Sequence, residues 1–454
     1  MTTLIKTHLQ HPIESVRDLV DFLGRGARPK SQWGIGVEME KLVLDAETGE
    51  AAHYAQIEKL LRRLEDSTAW EGIRENDCLI GLKGPSSSIT MEPGGQLELS
   101  GELCRDLHCS SRGYRNYIHD IIEAGEELGL IFLGLGVQPF TPLEKIDWLP
   151  KSRYNIMGPY MLRTGDMGQR MMKQSAGVQV NLDFSDEADC LDKMRLAMAL
   201  SPLLYALFAN SPIMEDRPTG FLSTRGEIWA RTDGDRTGII DRLYDADARL
   251  IDYVEYALDV PMYFIYRDNA YLDLTTSRFT FRQYLESGHS GHRATLGDWD
   301  LHLSTLFPEV RLRPQIEVRS ADSLPPRLSL AVGALLKGLL YDSRSRSEAW
   351  DLFKPLTSQS RHELYRQSWR QALGTPFRDG RMQELAITVI ALAKQGLARQ
   401  KCLDIHGQDE SIFLLELETI AQKGVSLAEQ LLARWSGSRS EKLITLKNHC
   451  GFKL

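Results

Sequence analysis

The residues best suited to chemistry are five glutamates and a set of arginines, spread over four short segments of alternating polarity. In Ile35-Gly36-Val37-Glu38-Met39-Glu40 the apolar residues alternate with Glu38 and Glu40. In an extended chain alternate side chains share a face, so Ile35, Val37 and Met39 point one way and both carboxylates the other. Ile89–Gly101 repeats the pattern around a bend at Pro93-Gly94-Gly95: Leu97 and Leu99 oppose Gln96, Glu98 and Ser100, and Glu92 and Glu98 flank the bend. Val178–Asp183 alternates with Gln179, Asn181 and Asp183, and Arg313–Arg319 sets Ile316 and Val318 against Arg313, Gln315, Glu317 and Arg319. Each polar face could be the solvent side of an antiparallel sheet. Against that, these faces carry no lysine and concentrate carboxylates, amides and guanidinium groups.

Glu38, Glu40, Glu92, Glu98 and Glu317, gathered on one concave face without partners, would repel one another. Divalent cations resolve such crowding, and Mg²⁺, with Mn²⁺ as the alternative, prefers oxygen ligands shared with substrate phosphates. No His-x-x-x-His pair or cysteine cluster points to zinc. Arg319 shares a face with Glu317; a guanidinium there suits a phosphoryl group in transfer, or else forms a buried ion pair with a neighbouring glutamate. The stretch from Arg225 to Arg236 adds three arginines (Arg225, Arg231 and Arg236) and Trp229. These either hold substrate carboxylates or form a surface turn with local ion pairs. A phosphate-binding Walker A sequence is absent, and the glycines of Gly129–Gly136 have the wrong spacing for a dinucleotide loop. A bound nucleotide would therefore be held mainly by metals and arginines.

Positioning these residues requires a sheet and a helical cover. Helical periodicity runs over residues 12–24, Ile57–Leu64 and Arg112–Leu128, and over Leu191–Phe208, where Pro202 is expected to bend the helix or restrict its start. Strand patterns run over Gly34–Leu44, Cys78–Lys83, Ser88–Leu99 and Ile131–Val137. From about Leu328 onward helices dominate: Leu328–Tyr341, Met382–Arg399 and Ser411–Trp435. Gly165–Gly168 and Arg231–Gly238 read as polar loops. The expected class is α+β: an antiparallel sheet first, helices packed around it, and a helical C-terminal third. With no repeat or low-complexity linker, residues 1–454 read as one unit, sheet core about 30–325 and helices 326–454, with a separate C-terminal domain as the alternative.

The 454 residues are 42% hydrophobic and 26% charged, the balance of an ordinary globular protein, and the formal charge of -8 argues against nucleic acid as a partner. Six cysteines without C-x-x-C spacing predict neither a zinc site nor a disulfide framework. Met1–His8 has no apolar core of a leader, and the apolar stretches near Ala197–Ala209 and Leu328–Leu340 are too interrupted to span a membrane. A cytoplasmic address is expected.

The blocks together resemble the plant-type (also proteobacterial) glutamate–cysteine ligases. Glu92-Pro93-Gly94-Gly95-Gln96-Leu97-Glu98-Leu99-Ser100-Gly101 is similar to the family signature. The segments Gly36–Lys41, Gln179–Phe184, Ile228-Trp229 with Thr232–Gly238, Leu312–Arg319 and Gly424–Leu432 resemble its other blocks in the same order. The resemblance implies a glutamine-synthetase-like fold, a curved antiparallel funnel for ATP, Mg²⁺ and glutamate. The reaction it implies is ATP-dependent formation of γ-glutamylcysteine through a γ-glutamyl phosphate, the first step of glutathione synthesis. Small-molecule substrates and a monomer or homodimer go with it. It implies metal ligation by Glu38, Glu40, Glu92, Glu98 and Glu317, and catalysis at Arg319 and Glu317. Glutamate and cysteine would meet Arg225, Gln179, Asn181, Trp229 and Arg231; the nucleotide would meet Lys41, Arg313 and Arg319. The chain departs from the family pattern at Lys173, at Ser175-Ala176-Gly177 and at Ser320, where arginine, a Thr/Cys-like run and glycine are usual. Rival readings keep the fold but change the acceptor amine, or drop catalysis for a regulatory role.

Overall fold

The structure, a computed structural model, describes residues 9–67 and 69–453. Met1–His8, on which the reading about a leader rests, lies outside them. Nine strands form one antiparallel sheet: β1 (Ile35–Asp45), β2 (Glu71–Glu75), β3 (Cys78–Lys83), β4 (Ser88–Met91), β5 (Leu97–Ser100), β6 (Leu130–Leu133), β7 (Gly177–Leu182), β8 (Val310–Arg313) and β9 (Gln315–Asp322). Their order is β8-β9-β7-β1-β5-β4-β3-β2, with β6 paired to the distal half of β1. The α+β class expected from the sequence is the one observed.

Register turns four separate sequence segments into rows across this sheet. Glu38 sits opposite both Ser100 and Gln179, Glu40 opposite Glu98, and Glu98 opposite Thr90. Glu317 sits between Asn181 on one side and Arg311 on the other. The opposite face is apolar: Ile35, Val37, Met39, Leu97 and Leu99 are buried in the main core. The Pro326–Leu340 helix crosses this face at Gly333, where a Cβ would come within 3.1 Å of Val37; the bare glycine lets helix and sheet touch. Among the described residues no helix is long and apolar enough to cross a membrane.

Several expectations are corrected. Ser88–Leu99 is not one strand but a hairpin, closed by hydrogen bonds between Glu92 and Gln96 and between Gly95 and Glu92. Gly95 takes φ +83, and a Cβ on Gly94 would fall 2.2 Å from the Lys173 carbonyl oxygen, so both glycines are required there. Arg313–Arg319 is likewise two strands, because Pro314 turns β8 back into β9. The Arg225 stretch begins as a helix, Thr224–Ala230, capped by Ser223, and the polar loop at Gly168 opens the Gly168–Gln174 helix. Ser411–Trp435 breaks into Glu410–Leu414, Leu415–Lys423 and Leu427–Leu432, the second ended by Gly424 at φ +65. Pro202 lies inside a continuous Glu187–Leu207 helix. One disulfide, Cys104–Cys109, was not expected; it closes a short loop before the Leu107–Glu126 helix has completed its first turn.

Candidate active site

The polar face of the sheet floors a cleft of about 720 Å³. Glu40, Glu92, Glu98, Gln179, Arg311, Arg313 and Arg319 line its floor. Its walls come from segments that sequence reasoning passed over: Lys151, Arg153 and Tyr154 from the connection between β6 and β7, Tyr266 and Tyr271 from the Phe264–Arg267/Ala270–Asp273 hairpin, and Phe307.

Glu38 and Glu98 are buried, Glu40 and Glu92 half-buried, and neutral groups are among their donors. Asn181 Nδ2 donates to Glu38 Oε1 at 2.8 Å, and Ser100 Oγ donates to Glu98 Oε1 at 2.6 Å. Glu40 accepts from the Gly177 N–H at 2.5 Å and from Gln179 Nε2 at 3.1 Å. Burial, with repulsion from Glu98 and Glu92, pushes Glu40 up to about 8. Burial and Glu98 likewise raise Glu92, and burial with Glu98 and Glu317 raises Glu38. At about 8, Glu40 keeps its proton at neutral pH unless a cation arrives. Glu38 and Asn181 are buried and are not among the residues that line the cleft.

Glu317 stands apart from the other four. Arg311 grips it with two hydrogen bonds of 2.9 Å, and Arg319 Nη1 donates to the same carboxylate and to Gln179 Oε1. Burial alone would raise it, but the two guanidinium groups outweigh that and hold Glu317 at about 2. The ion-pair alternative for Arg319 is therefore what the geometry shows, and Glu317 serves the arginines rather than standing as a free metal ligand. Arg311 was missed by sequence reasoning; the available signal was Pro314, which folds β8 onto β9 and brings Arg311 opposite Glu317.

Arg225 and Arg319 flank one aromatic ring. Their guanidinium carbons lie 5.2 and 5.4 Å from the Trp229 ring centroid. Arg225 is buried, with Nη2 donating to the Arg319 carbonyl at 3.0 Å. Its Nε and Nη1, together with Arg319 Nε, Trp229 Nε1 and Arg153 Nε, are buried without a hydrogen-bond partner among the described residues. Each such donor left unmet costs about 1–3 kcal/mol, and a ligand's acceptor removes that cost.

Two assignments fail on geometry. Lys41 was expected at the nucleotide, but residues of β1 alternate, and Lys41 falls on the face opposite Glu38 and Glu40. Its Nζ donates to the Met39 carbonyl at 2.9 Å and to Tyr117 Oη at 2.8 Å, 4.4 Å from the Tyr117 ring centroid. Burial pulls it down to about 7, though Glu98 and Glu40 act the other way. Arg231 was expected at substrate, but it is exposed and paired with Asp166 and Glu227, the surface-turn alternative. Arg313 does line the cleft, with its guanidinium on Asp300 through two hydrogen bonds of 3.0 Å. Lys173, Ser175 and Ser320, the departures from the family pattern, do not line the cleft; Lys173 Nζ is bound to the Leu143 carbonyl at 2.8 Å.

Residues 34–449 match the family described as glutamate-cysteine ligase family 2 (GCS2). The chain is 42% identical over 423 residues to a chloroplastic glutamate–cysteine ligase of Arabidopsis thaliana, covering 92% of this chain and 80% of that one. It is 41% identical over 418 residues to the chloroplastic glutamate–cysteine ligase B of Oryza sativa subsp. japonica, covering 91% and 83%. A crystal structure of glutamate–cysteine ligase from Francisella tularensis in complex with AMP superposes with a TM-score of 0.54, covering 92% of this chain and 88% of that one; at 13% identity this likeness speaks to the fold. The expected cytoplasmic address is overturned by the relatives themselves, which are named as chloroplastic.

Proposed function

The chain belongs to glutamate-cysteine ligase family 2, and from that premise we propose that it joins the γ-carboxylate of L-glutamate to the amine of L-cysteine at the expense of ATP. The observation that carries the assignment to this cleft is that Glu40, Glu92 and Glu98 share it with Arg319 and Arg153, whose Nε atoms are buried without a hydrogen-bond partner among the described residues. In this scheme residues 1–454 work as one catalytic unit.

The acids suit a hard divalent cation. Glu40, Glu92 and Glu98 would hold Mg²⁺ at the cleft surface, with Glu38 on the same sheet face, and its arrival would remove the repulsion that raises Glu38, Glu40 and Glu92. When bound, the cation supplies positive charge to the oxygens of the triphosphate.

The arginines do the orienting. Arg225, with two unmet nitrogens, and Trp229 Nε1 would receive the carboxylates of glutamate. Arg319, held in place by Glu317 and Gln179, would face the phosphoryl group as it leaves ATP for the γ-carboxylate. Arg311 locks Glu317, so Arg319 presents a fixed donor to charge that develops in transfer. Arg153 and Arg313 lie along the cleft wall and floor, where the rest of the triphosphate would run. The resulting acyl phosphate is then attacked by the cysteine amine, with release of phosphate.

The test is ADP release with glutamate alone, cysteine alone, and both, followed by a panel of other amines. Fast release that needs glutamate and prefers cysteine supports the proposal. Equal or better turnover with another amine would move the activity to a different γ-glutamyl ligase.

A further inference from the structure

Arg319 does not sit on regular strand. Pairing of β9 with β7 runs through Val318–Val180 and resumes at Ala321–Val178, so three steps on β9 match two on β7. Arg319 and Ser320 occupy the resulting bulge. Bulges re-aim side chains, and they hold only when the extra residue is fixed by something else. Here that something is Glu309, the residue before β8. Its carbonyl accepts the Arg319 N–H at 3.1 Å, and its Oε2 accepts Ser320 Oγ at 2.6 Å. Its own N–H donates to the Gly238 carbonyl at 2.9 Å.

Glu309 is 4% exposed and does not line the cleft. Its Oε1 accepts from Tyr205 Oη at 3.1 Å and from Tyr365 Oη. Tyr205 comes from the Glu187–Leu207 helix and Tyr365 from the Ser358–Gln371 helix, and both rings pack on Trp369, at 5.8 and 4.5 Å between centroids. A buried side chain held by three hydroxyl groups, on a residue whose main chain also holds Arg319, is a rigid node, since breaking any one bond leaves a polar group less well satisfied in a dry site. The same Ser358–Gln371 helix also grips the mount of Arg225: the Trp369 carbonyl accepts the N–H groups of Leu222 and Ser223, and Ser223 caps the helix carrying Arg225.

We propose that Glu309 is a positioning residue, which fixes the β9 bulge through Ser320 and the Arg319 backbone and so aims the Arg319 guanidinium, with Tyr205 and Tyr365 fixing Glu309 in turn. The inference rests on the role given above to Arg319. It also gives Ser320 a purpose: its hydroxyl ties the bulge to the node.

The experiment compares Glu309→Gln, Tyr365→Phe and Ser320→Gly, each alone and in an Arg319→Lys background, by kcat, by KM for glutamate and ATP, and by melting temperature. Glu309→Gln should lower kcat by roughly 10- to 100-fold, the scale of a misplacement of about 1 Å at a reacting group. Both KM values should stay within about threefold, because the lost interaction belongs to the transition state. Tyr365→Phe and Ser320→Gly should follow with smaller losses of kcat. In the Arg319→Lys background none of the three should lower kcat further, as residues acting through one another are not additive. Variants that melt earlier but turn over normally, or losses that simply add to that of Arg319→Lys, would overturn the inference. If Glu309→Gln does not fold, the other two variants carry the same comparison. If Arg319→Lys alone leaves kcat unchanged, the assignment of Arg319 falls and the node falls with it, an outcome distinct from failure of the node by itself.

Discussion

At the β8–β9 end of the cleft floor the charges are paired within the protein: Glu317 with Arg311 and Arg319, Asp300 with Arg313. At the β1–β5 end Glu38, Glu40 and Glu98 accept from an asparagine, a glutamine, a backbone N–H and a serine. The consequences are opposite: Glu317 is held at about 2 while Glu40 is pushed up to about 8. Two carboxylates of one sheet face thus differ because one meets guanidinium groups and the other meets its own kind. One end pairs its charges within the protein; the other crowds acids together, a repulsion that the proposed cation would relieve.

The strongest way to break this comparison is at the β1–β5 end. Glu98→Gln should lower kcat by roughly 10³ or more, since a bound metal supplies several kcal/mol to the transition state. The protein should stay folded, as read from a cooperative thermal melt. Near-normal turnover at saturating Mg²⁺ would remove Glu98 from the cation site.

At the β8–β9 end, Arg319→Lys keeps the charge but loses the planar guanidinium, whose Nη1 binds both Glu317 and Gln179 while its buried Nε has no partner among the described residues, and should cost roughly 10² in kcat with little change in glutamate KM. Arg225→Lys should do the reverse, raising glutamate KM by about tenfold or more with kcat and ATP KM nearly unchanged. Reversed profiles would exchange the roles of the two arginines.

The two ends should also differ with pH. In the cation-free protein the native state keeps a proton on Glu40 that the unfolded chain gives up, because its folded pKa of about 8 lies above the ordinary 4.5. Stability from that group is present below about 4.5 and is lost as pH rises toward 8. The melting temperature should therefore fall over this window, and Glu40→Gln should flatten the fall. With the proposed ligation by Glu40, Mg²⁺ displaces the same proton, so its apparent affinity should rise with pH up to about 8 and then level off. A pH-independent Mg²⁺ midpoint, read from the Mg²⁺-induced shift in melting, would mean that Glu40 is already ionised.

The smallest effect is expected at Arg231, whose partners are on the surface. Arg231→Ala should leave kcat and both KM values within about twofold, as exposed ion pairs contribute little. A large rise in glutamate KM would return Arg231 to the substrate site.

Alternation was enough to read which residues share a face. The placing of Glu38, Glu40, Glu98, Gln179 and Asn181 on the polar side of their strands, and of Val37, Met39 and Leu99 on the core side, follows from a period of two and from apolar burial. The same rule, carried one residue further, excludes Lys41 from the cleft, and only its place in a resembling block argued otherwise. The α+β class was legible for the same local reason. The pairing of charges was not. Arg311 meets Glu317 because Pro314 reverses the chain and register sets the two opposite one another. Arg153 and Tyr271 reach the cleft from segments with no pattern of their own. Arg225 and Arg231 lie six residues apart in one helix and its cap, yet one is buried against Trp229 and the other is exposed. Spacing fixes the direction of a side chain relative to its own backbone. What lies at the end of that direction, cation, acid, ring or water, depends on contacts between residues distant in sequence, and those exist only once the sheet has paired and the helices have closed over it.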